Sequence, residues 1–515
     1  MMERPIERIV IAGGGTAGWL SACRLAAWVR QRGLPIIVTL VEDPDTPTIG
    51  VGEGTWPTMR QTLSAIGIDE ADFLLGCDAS FKQGSQFDGW RDGGVDDRYL
   101  HPFTLPPEGE PRDLVEAWRS TNGQPFAGAM TSQDALVAAG LAPRQRTMAP
   151  FAGAMSYGYH LDAGKFAQLL SRHGTERLGV VHRQEKIVSV IGNPDRIEAL
   201  TTAAGEHIPG DLFVDCTGFA AVLIERHCGS GWVDQSAYLL NDRALAVQVA
   251  VDPDSPIASA TRATAHEAGW FWDIGLPTRR GIGCVYSSAH LENAAARRLL
   301  DTYVAAELGQ PPAAEPRLIQ FPTGHRDRFW IGNCLAIGLS AGFIEPLEAS
   351  AIVLIESSLD MLIEGFPAHR RALPSLAQRF DRTFTGRWQS IVEFLKLHYV
   401  LSRREEPYWA HHRDPATIPP RLVEHLVTWA DQPPSQLDFP LAHEMFPAAS
   451  YQYVYYGMGG ATSALSRRPD ARLIARLDSI RQKKRSLVAA LPTNRSYLAA
   501  LAAAPSFGHA QGEGR

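Results

Sequence analysis

The sequence has no paired cysteines, no long apolar run and no block of like charge, and each absence removes a class of protein. Its six cysteines (Cys23, Cys77, Cys216, Cys228, Cys284, Cys334) are scattered over 515 residues. None forms a C-x-x-C pair or a Cys/His cluster with zinc spacing, so they read as reduced core thiols and no metal site is expected. No uncharged stretch reaches the ~18 residues of a spanning helix; the most apolar region, residues 334–355, is interrupted by Glu345 and Glu348. The first apolar run is broken by glycines and does not end at a small-residue cleavage site, so no secretion signal is read and the expected location is the cytoplasm. Lys and Arg total 49 against 56 Asp and Glu, a formal charge of −7 spread without long single-sign runs. Neither nucleic acid nor a membrane surface is therefore an expected partner.

What is present is an ordinary globular composition, 45% hydrophobic and 20% charged. At roughly 150 residues per domain the length suggests two or three modules, with a core large enough to enclose a sizeable cofactor. The strand Arg8-Ile-Val-Ile-Ala12 runs into Gly13-Gly-Gly-Thr16-Ala17-Gly18 and then an amphipathic helix near residues 17–30. A second strand at residues 36–41 is followed by Glu42. This is a βαβ opening with the G-x-G-x-x-G spacing of a dinucleotide site. Gly13 turns the chain, Gly15 lets backbone amides reach a pyrophosphate, and Gly18 allows close helix packing. Glu42 stands where a carboxylate takes ribose hydroxyls.

FAD and NAD share that fingerprint. Two later elements favour FAD: the strand Val214-Asp-Cys-Thr-Gly218, and a strand-glycine-helix element around Gly338. Each resembles a place where flavoproteins of the glutathione-reductase-like class bring a distant part of the chain back to the cofactor, although each alone reads equally well as a βα turn. Residues 50–150 are turn-rich and aromatic and are expected to form covering loops over a pocket. Beyond residue 367 the pattern is mainly helical.

The motifs along most of the chain resemble those of the flavin-dependent halogenases, commonly grouped as tryptophan halogenases. They are Gly13-Gly-Gly-Thr-Ala-Gly-Trp19, Gly50-Val-Gly-Glu-Gly-Thr-Trp-Pro57, Ala79-Ser-Phe-Lys82, Trp270-Phe-Trp-Asp-Ile274 and Phe343-Ile-Glu-Pro-Leu-Glu-Ala-Ser350. The resemblance implies an α/β fold, with a doubly wound, glutathione-reductase-like FAD module and a mainly helical C-terminal substrate module. The expected division is 1–366, with a substrate-covering segment at about 55–155, and 367–515.

The chemistry implied is that of a two-component enzyme. FAD arrives reduced (FADH2) from a separate flavin reductase and reacts with O2, and chloride or bromide becomes hypohalous acid at the flavin. That oxidant then reaches a small electron-rich arene, such as an indole or tryptophan derivative, in a second pocket. A flavin-dependent aromatic monooxygenase is the alternative, and a homodimer is left open.

The resemblance assigns catalytic roles to Lys82 and Glu348. Taken alone, Lys82 reads as a surface lysine, since lysines are rarely buried. Glu348, two residues after Pro346, reads as an acid in the first turn of a helix. Cofactor binding falls to Gly13, Gly15, Thr16, Ala17, Gly18, Glu42, Gly50, Val51, Gly52, Gly218 and Gly338, with the segment 50–57 as a strap over the flavin. Halide binding falls to backbone amides at Ser350 and Ala351, where many family members carry Thr-Gly. The substrate pocket is assigned His101, Phe103 and Tyr451, with Trp270 and Trp272 as the wall that keeps substrate from flavin. Tyr451 stands where the family usually has tryptophan, and no convincing set of groups for an amino-acid ammonium and carboxylate is found near residues 444–456.

Overall fold

The computed structural model describes residues 5–46, 52–121, 123–439, 444–464 and 470–504. Its centre is a six-stranded sheet in the order Trp330–Ile331, Cys334–Ala336, Leu212–Asp215, Arg8–Ala12, Ile37–Glu42, Val181–Gln184. All neighbours are parallel except the first pair. Arg8–Ala12 is the middle of this sheet because its Ile9, Val10, Ile11 and Ala12 are apolar on both faces and fully buried, as a strand covered on both sides requires. The helix Thr16–Arg32 follows at once and ends at Gly33, a glycine in the left-handed conformation. The expected βαβ opening and the parallel-sheet class are both observed.

A second, seven-stranded sheet runs Arg317–Gln320, Arg243–Ala250, Arg279–Tyr286, Gly269–Gly275, Thr261–His266, Gly84–Asp88, Arg98–Pro102. It is antiparallel except where Thr261–His266 meets Gly84–Asp88. In a separate three-stranded sheet, Gly158–Asp162 lies between Gly52–Gly54 and Ser80–Lys82. The described residues beyond 366 are mainly helical, led by Leu373–Val400 and Ala471–Ala490.

Two expectations are corrected. The segment 50–150 is more than covering loops: it contains the helices Met59–Ile66, Glu70–Gly76, Pro111–Arg119, Phe126–Met130 and Gln133–Ala138, besides four strands. These elements are short and their partners are distant in sequence, so local periodicity does not reveal them. The helix after Pro346 begins only at Ser350, because Ala349 takes a left-handed conformation (φ 53°, ψ 43°). Glu348 therefore precedes the helix and does not sit in its first turn.

The loop after Leu212–Asp215 is shaped by one carboxylate. Asp215 is fully buried and accepts from Thr217 N (2.9 Å), Thr217 Oγ1 (2.6 Å), Leu223 N (2.8 Å) and Ile224 N (2.8 Å). Asp215→Ala leaves the three amide donors without their acceptor and is expected to cost on the order of 3 kcal/mol in urea unfolding. A loss below about 1 kcal/mol would show that the loop is held by other contacts.

Candidate active site

A cavity of about 770 Å³ opens at the carboxyl ends of the parallel strands, where ligands bind in sheets of this kind. Gly13, Gly15, Thr16, Ala17, Glu42, Gly52, Gly218 and Gly338 all line it. Gly18 does not; its role is the close packing expected of it, since a Cβ there would lie 1.9 Å from the Gly13 carbonyl oxygen. Gly13 (φ +106°) has the Cys216 carbonyl oxygen 2.3 Å from where a Cβ would stand, so both its conformation and its space demand glycine. At Gly15 a Cβ would meet nothing within 4 Å, leaving the helix amides open to the cavity. No side chain caps that helix. The cradle thus fits a pyrophosphate and, with its length of lining, an FAD. Gly50 and Val51 lie outside the described residues.

The middle glycine is also fixed, which the motif spacing does not reveal. A Cβ on Gly14 would lie 1.4 Å from Glu42 Oε2, and Glu42 Oε1 is 2.5 Å from His182 Nε2. Gly14 and His182 together set the position of the carboxylate expected to take the ribose. Glu53, between Gly52 and Gly54, lines the cavity as well, and burial raises its carboxyl to about 7.

Lys82 stands at the end of Ser80–Lys82, paired with Gly158 and only 1% exposed. Strand alternation puts Phe81 on the other face, against Tyr157 and Tyr497. Phe87 and Trp90 lie against His398, and the ring beside the Lys82 amine is Phe103, 5.4 Å from Nζ to the ring centroid. The amine packs against the strap: a Cβ on Gly54 would be 3.1 Å from Nζ and 3.2 Å from the Ala349 Cβ. Burial pushes the Lys82 amine down from 10.5 to about 8, opposed by the charge of Glu348, which holds it up.

Glu348, 3% exposed, accepts from His101 Nδ1 (2.8 Å) and Ser85 Oγ (3.1 Å), and His398 Nε2 lies 3.3 Å away. His101 Nε2 in turn meets Ser450 Oγ at 2.9 Å, and His398 Nδ1 meets Tyr99 Oη at 2.6 Å. Burial alone would raise the Glu348 carboxyl, but the two imidazoles overcome it and hold the group well below the usual carboxylate range. Its own carbonyl accepts from Trp56 Nε1 at 2.8 Å. Ser85, Tyr99 and His398 lie outside every motif, and their roles are legible only after folding.

The remaining expected residues divide. Ala351 lines the cavity at the uncapped start of Ser350–Glu364, with Ser350 buried beside it. Trp272 lines the cavity. Trp270 does not: it is fully buried behind Trp272, its ring centroid 6.5 Å away, with Nε1 donating to Glu345 Oε2 at 2.7 Å. Tyr451 is a core residue and not a pocket wall, because its ring stacks on Phe439 and meets Phe394 and Trp429. The rings this segment brings toward His101 are Phe446, which also stacks on Phe394 and packs on Trp56, and Tyr453.

A family model described as tryptophan halogenase matches residues 8–472. The chain belongs to the tryptophan halogenase family. It is 32% identical to the tryptophan 6-halogenase SttH of Streptomyces toxytricini, over 97% of this chain and 99% of that protein. It is 34% identical to the tryptophan 7-halogenase RebH of Lentzea aerocolonigenes, over 80% of each. A solved structure titled tryptophan halogenase, from Shewanella frigidimarina NCIMB 400, matches with a TM-score of 0.93 at 44% identity, covering 98% of both chains. Like these tryptophan halogenases the chain is a flavin-dependent halogenating enzyme, and its mixed α/β fold with a helical C-terminal region is theirs. No helix among the described residues is long and apolar enough to cross a membrane.

Gly14→Ala tests the cradle. Its methyl would displace the Glu42 carboxylate, and FAD affinity measured by fluorescence quenching is expected to fall at least about tenfold with the unfolding midpoint little changed. Unaltered affinity would remove Glu42 from the site.

Proposed function

We propose that the chain halogenates an electron-rich arene, an indole or tryptophan derivative, with Lys82 and Glu348 as the reacting pair. The observation that carries this reading is that both are buried and feel each other's charge, with the Lys82 amine packed against Gly54, which itself lines the cavity that fits FAD. When bound, reduced FAD with O2 supplies the oxidising equivalents that turn chloride or bromide into hypohalous acid. The free amides at the start of Ser350–Glu364 are suited to hold the halide, since a helix N-terminus attracts anions without a cationic side chain. Trp272, on the cavity wall, keeps the organic substrate on the Lys82 side.

With its pKa near 8, Lys82 has both neutral and charged forms available around neutrality. The neutral amine can take the halogen, forming N–Cl or N–Br as the hypohalous oxygen leaves with a proton as water. The charged amine can instead donate a hydrogen bond to the hypohalous oxygen and make the halogen more electrophilic. Glu348 is held too far down to be a strong base, so its charge matters more than its basicity: it stabilises the positive ring produced when halogen adds. Glu53, near 7, can hold a proton at the flavin side.

In this reading residues 1–366 form the flavin module, the segment at about 55–155 covers the substrate, and 367–515 complete its pocket. A separate flavin reductase supplies FADH2. Six unpaired, buried cysteines suit a reducing compartment, and the cytoplasm is the proposed location.

The test combines the protein with FAD, NADH, a flavin reductase and bromide or chloride, and offers indoles and phenols. Mass spectrometry is expected to show halide incorporation, and Lys82→Ala to lower it at least about a hundredfold while oxidation of FADH2 by O2 continues. Full product from Lys82→Ala would overturn the assignment, and hydroxylated product from the unaltered chain would favour the monooxygenase.

A further inference from the structure

Phe103, the one ring that meets the Lys82 amine, also lines a second cavity of about 510 Å³, separate from the flavin cradle. Its wall includes the backbone of residues 153–156, which runs directly into Gly158–Asp162, where Gly158 pairs with Lys82. A flat ring entering this cavity therefore has a path along Phe103 to the amine.

The charge on that wall is one-sided. Arg60 and Lys483 line it, and no carboxylate does among the described residues. Arg60 is held in place: Nη1 donates to the Phe151 carbonyl at 3.0 Å, Nε donates to the Pro57 carbonyl at 3.3 Å, and the guanidinium lies 4.5 Å over the Tyr157 ring. Neither Arg60 nor Lys483 has an ion pair among the described residues, whereas the neighbouring Lys484 is bound to Asp134 and the Gly128 carbonyl. Glu444, in the segment near residues 444–456, accepts from Ser390 Oγ at 3.0 Å.

We infer that this cavity is the substrate entrance and that it selects an arene carrying an acidic group on a short arm, without need of an ammonium. The inference rests on the halogenase reading and deepens it by naming the substrate class. Phe103 takes the ring, Arg60 pairs with the acid through a fixed planar guanidinium, and Lys483 adds a mobile charge at the mouth. An amine on the arm finds two like charges and no partner, so it is disfavoured.

The experiment measures binding of 3-(indol-3-yl)propionate, tryptamine and indole by calorimetry to the protein without added flavin, and then their turnover with FAD, reductase, NADH and bromide. The propionate is expected to bind at least about fivefold more tightly than tryptamine. Arg60→Met and Lys483→Met are each expected to lower that ratio of affinities by at least about threefold, Lys483→Met serving as a surface substitution that leaves folding untouched. Tryptamine binding as tightly as the propionate, or a ratio unmoved in both variants, overturns the inference even if every arene is brominated. A preserved binding preference with no bromination of any arene supports the acid site and overturns the halogenase reading instead.

Discussion

The site depends on keeping one amine away from water. Lys82 is 1% exposed, and no hydrogen bond to its nitrogen is found among the described residues. Its neighbours are a ring, Phe103, a bare backbone at Gly54, and the field of Glu348. Its amine lies at about 8 against 10.5 for the free group, so between those values the unfolded chain binds the extra proton. Folding stability from this group therefore rises with pH across that window, and below about 8 the buried amine costs on the order of 3 kcal/mol. Such a cost, absent for a surface lysine, is what a site that uses a partly neutral amine would carry.

The other parts of the site follow from that burial. Gly54 has no side chain, so the strap strand can lie against Nζ and divide the flavin cavity from the lysine with a single backbone. Ala349 reaches the same glycine, and its left-handed conformation turns the chain so that Glu348 faces inward while Ser350 starts the helix at the cavity. Glu348 needs its partners to remain charged when buried: Ser85 and His101, paired on adjacent strands, donate to it, and His398 approaches from the distant helix Leu373–Val400. Behind them, Ser450 and Tyr99 orient the imidazoles, so residues of the helical C-terminal region help fix the carboxylate.

Much of the cofactor cradle was legible in the sequence, because a βα turn is local: the strand, the three spaced glycines and Glu42 lie within 35 residues and carry their own steric logic. Lys82 and Glu348 were legible only through resemblance. From composition, the first reads as a surface lysine and the second as a helix-start acid. Of their partners, His101 and Phe103 came with the resemblance, whereas His398 acquires a role only when the seven-stranded sheet and the C-terminal helices meet. Tyr451 was placed in the pocket by resemblance, yet its ring packs on Phe439 and Trp429, and Phe446 and Tyr453 face His101. The acid-selective wall was hidden too, since Arg60 and Lys483 are more than 400 residues apart and share no motif.

The most direct measurement is the titration of the Lys82 amine itself, followed by NMR of ¹³C-labelled lysine in the unaltered chain and in Glu348→Gln. The account predicts a midpoint near 8, falling lower when the carboxylate charge is removed, because that charge is what holds the amine up. A midpoint at the ordinary 10.5, unmoved by the substitution, would mean that the lysine is solvated and independent of Glu348, and would contradict the account at its centre.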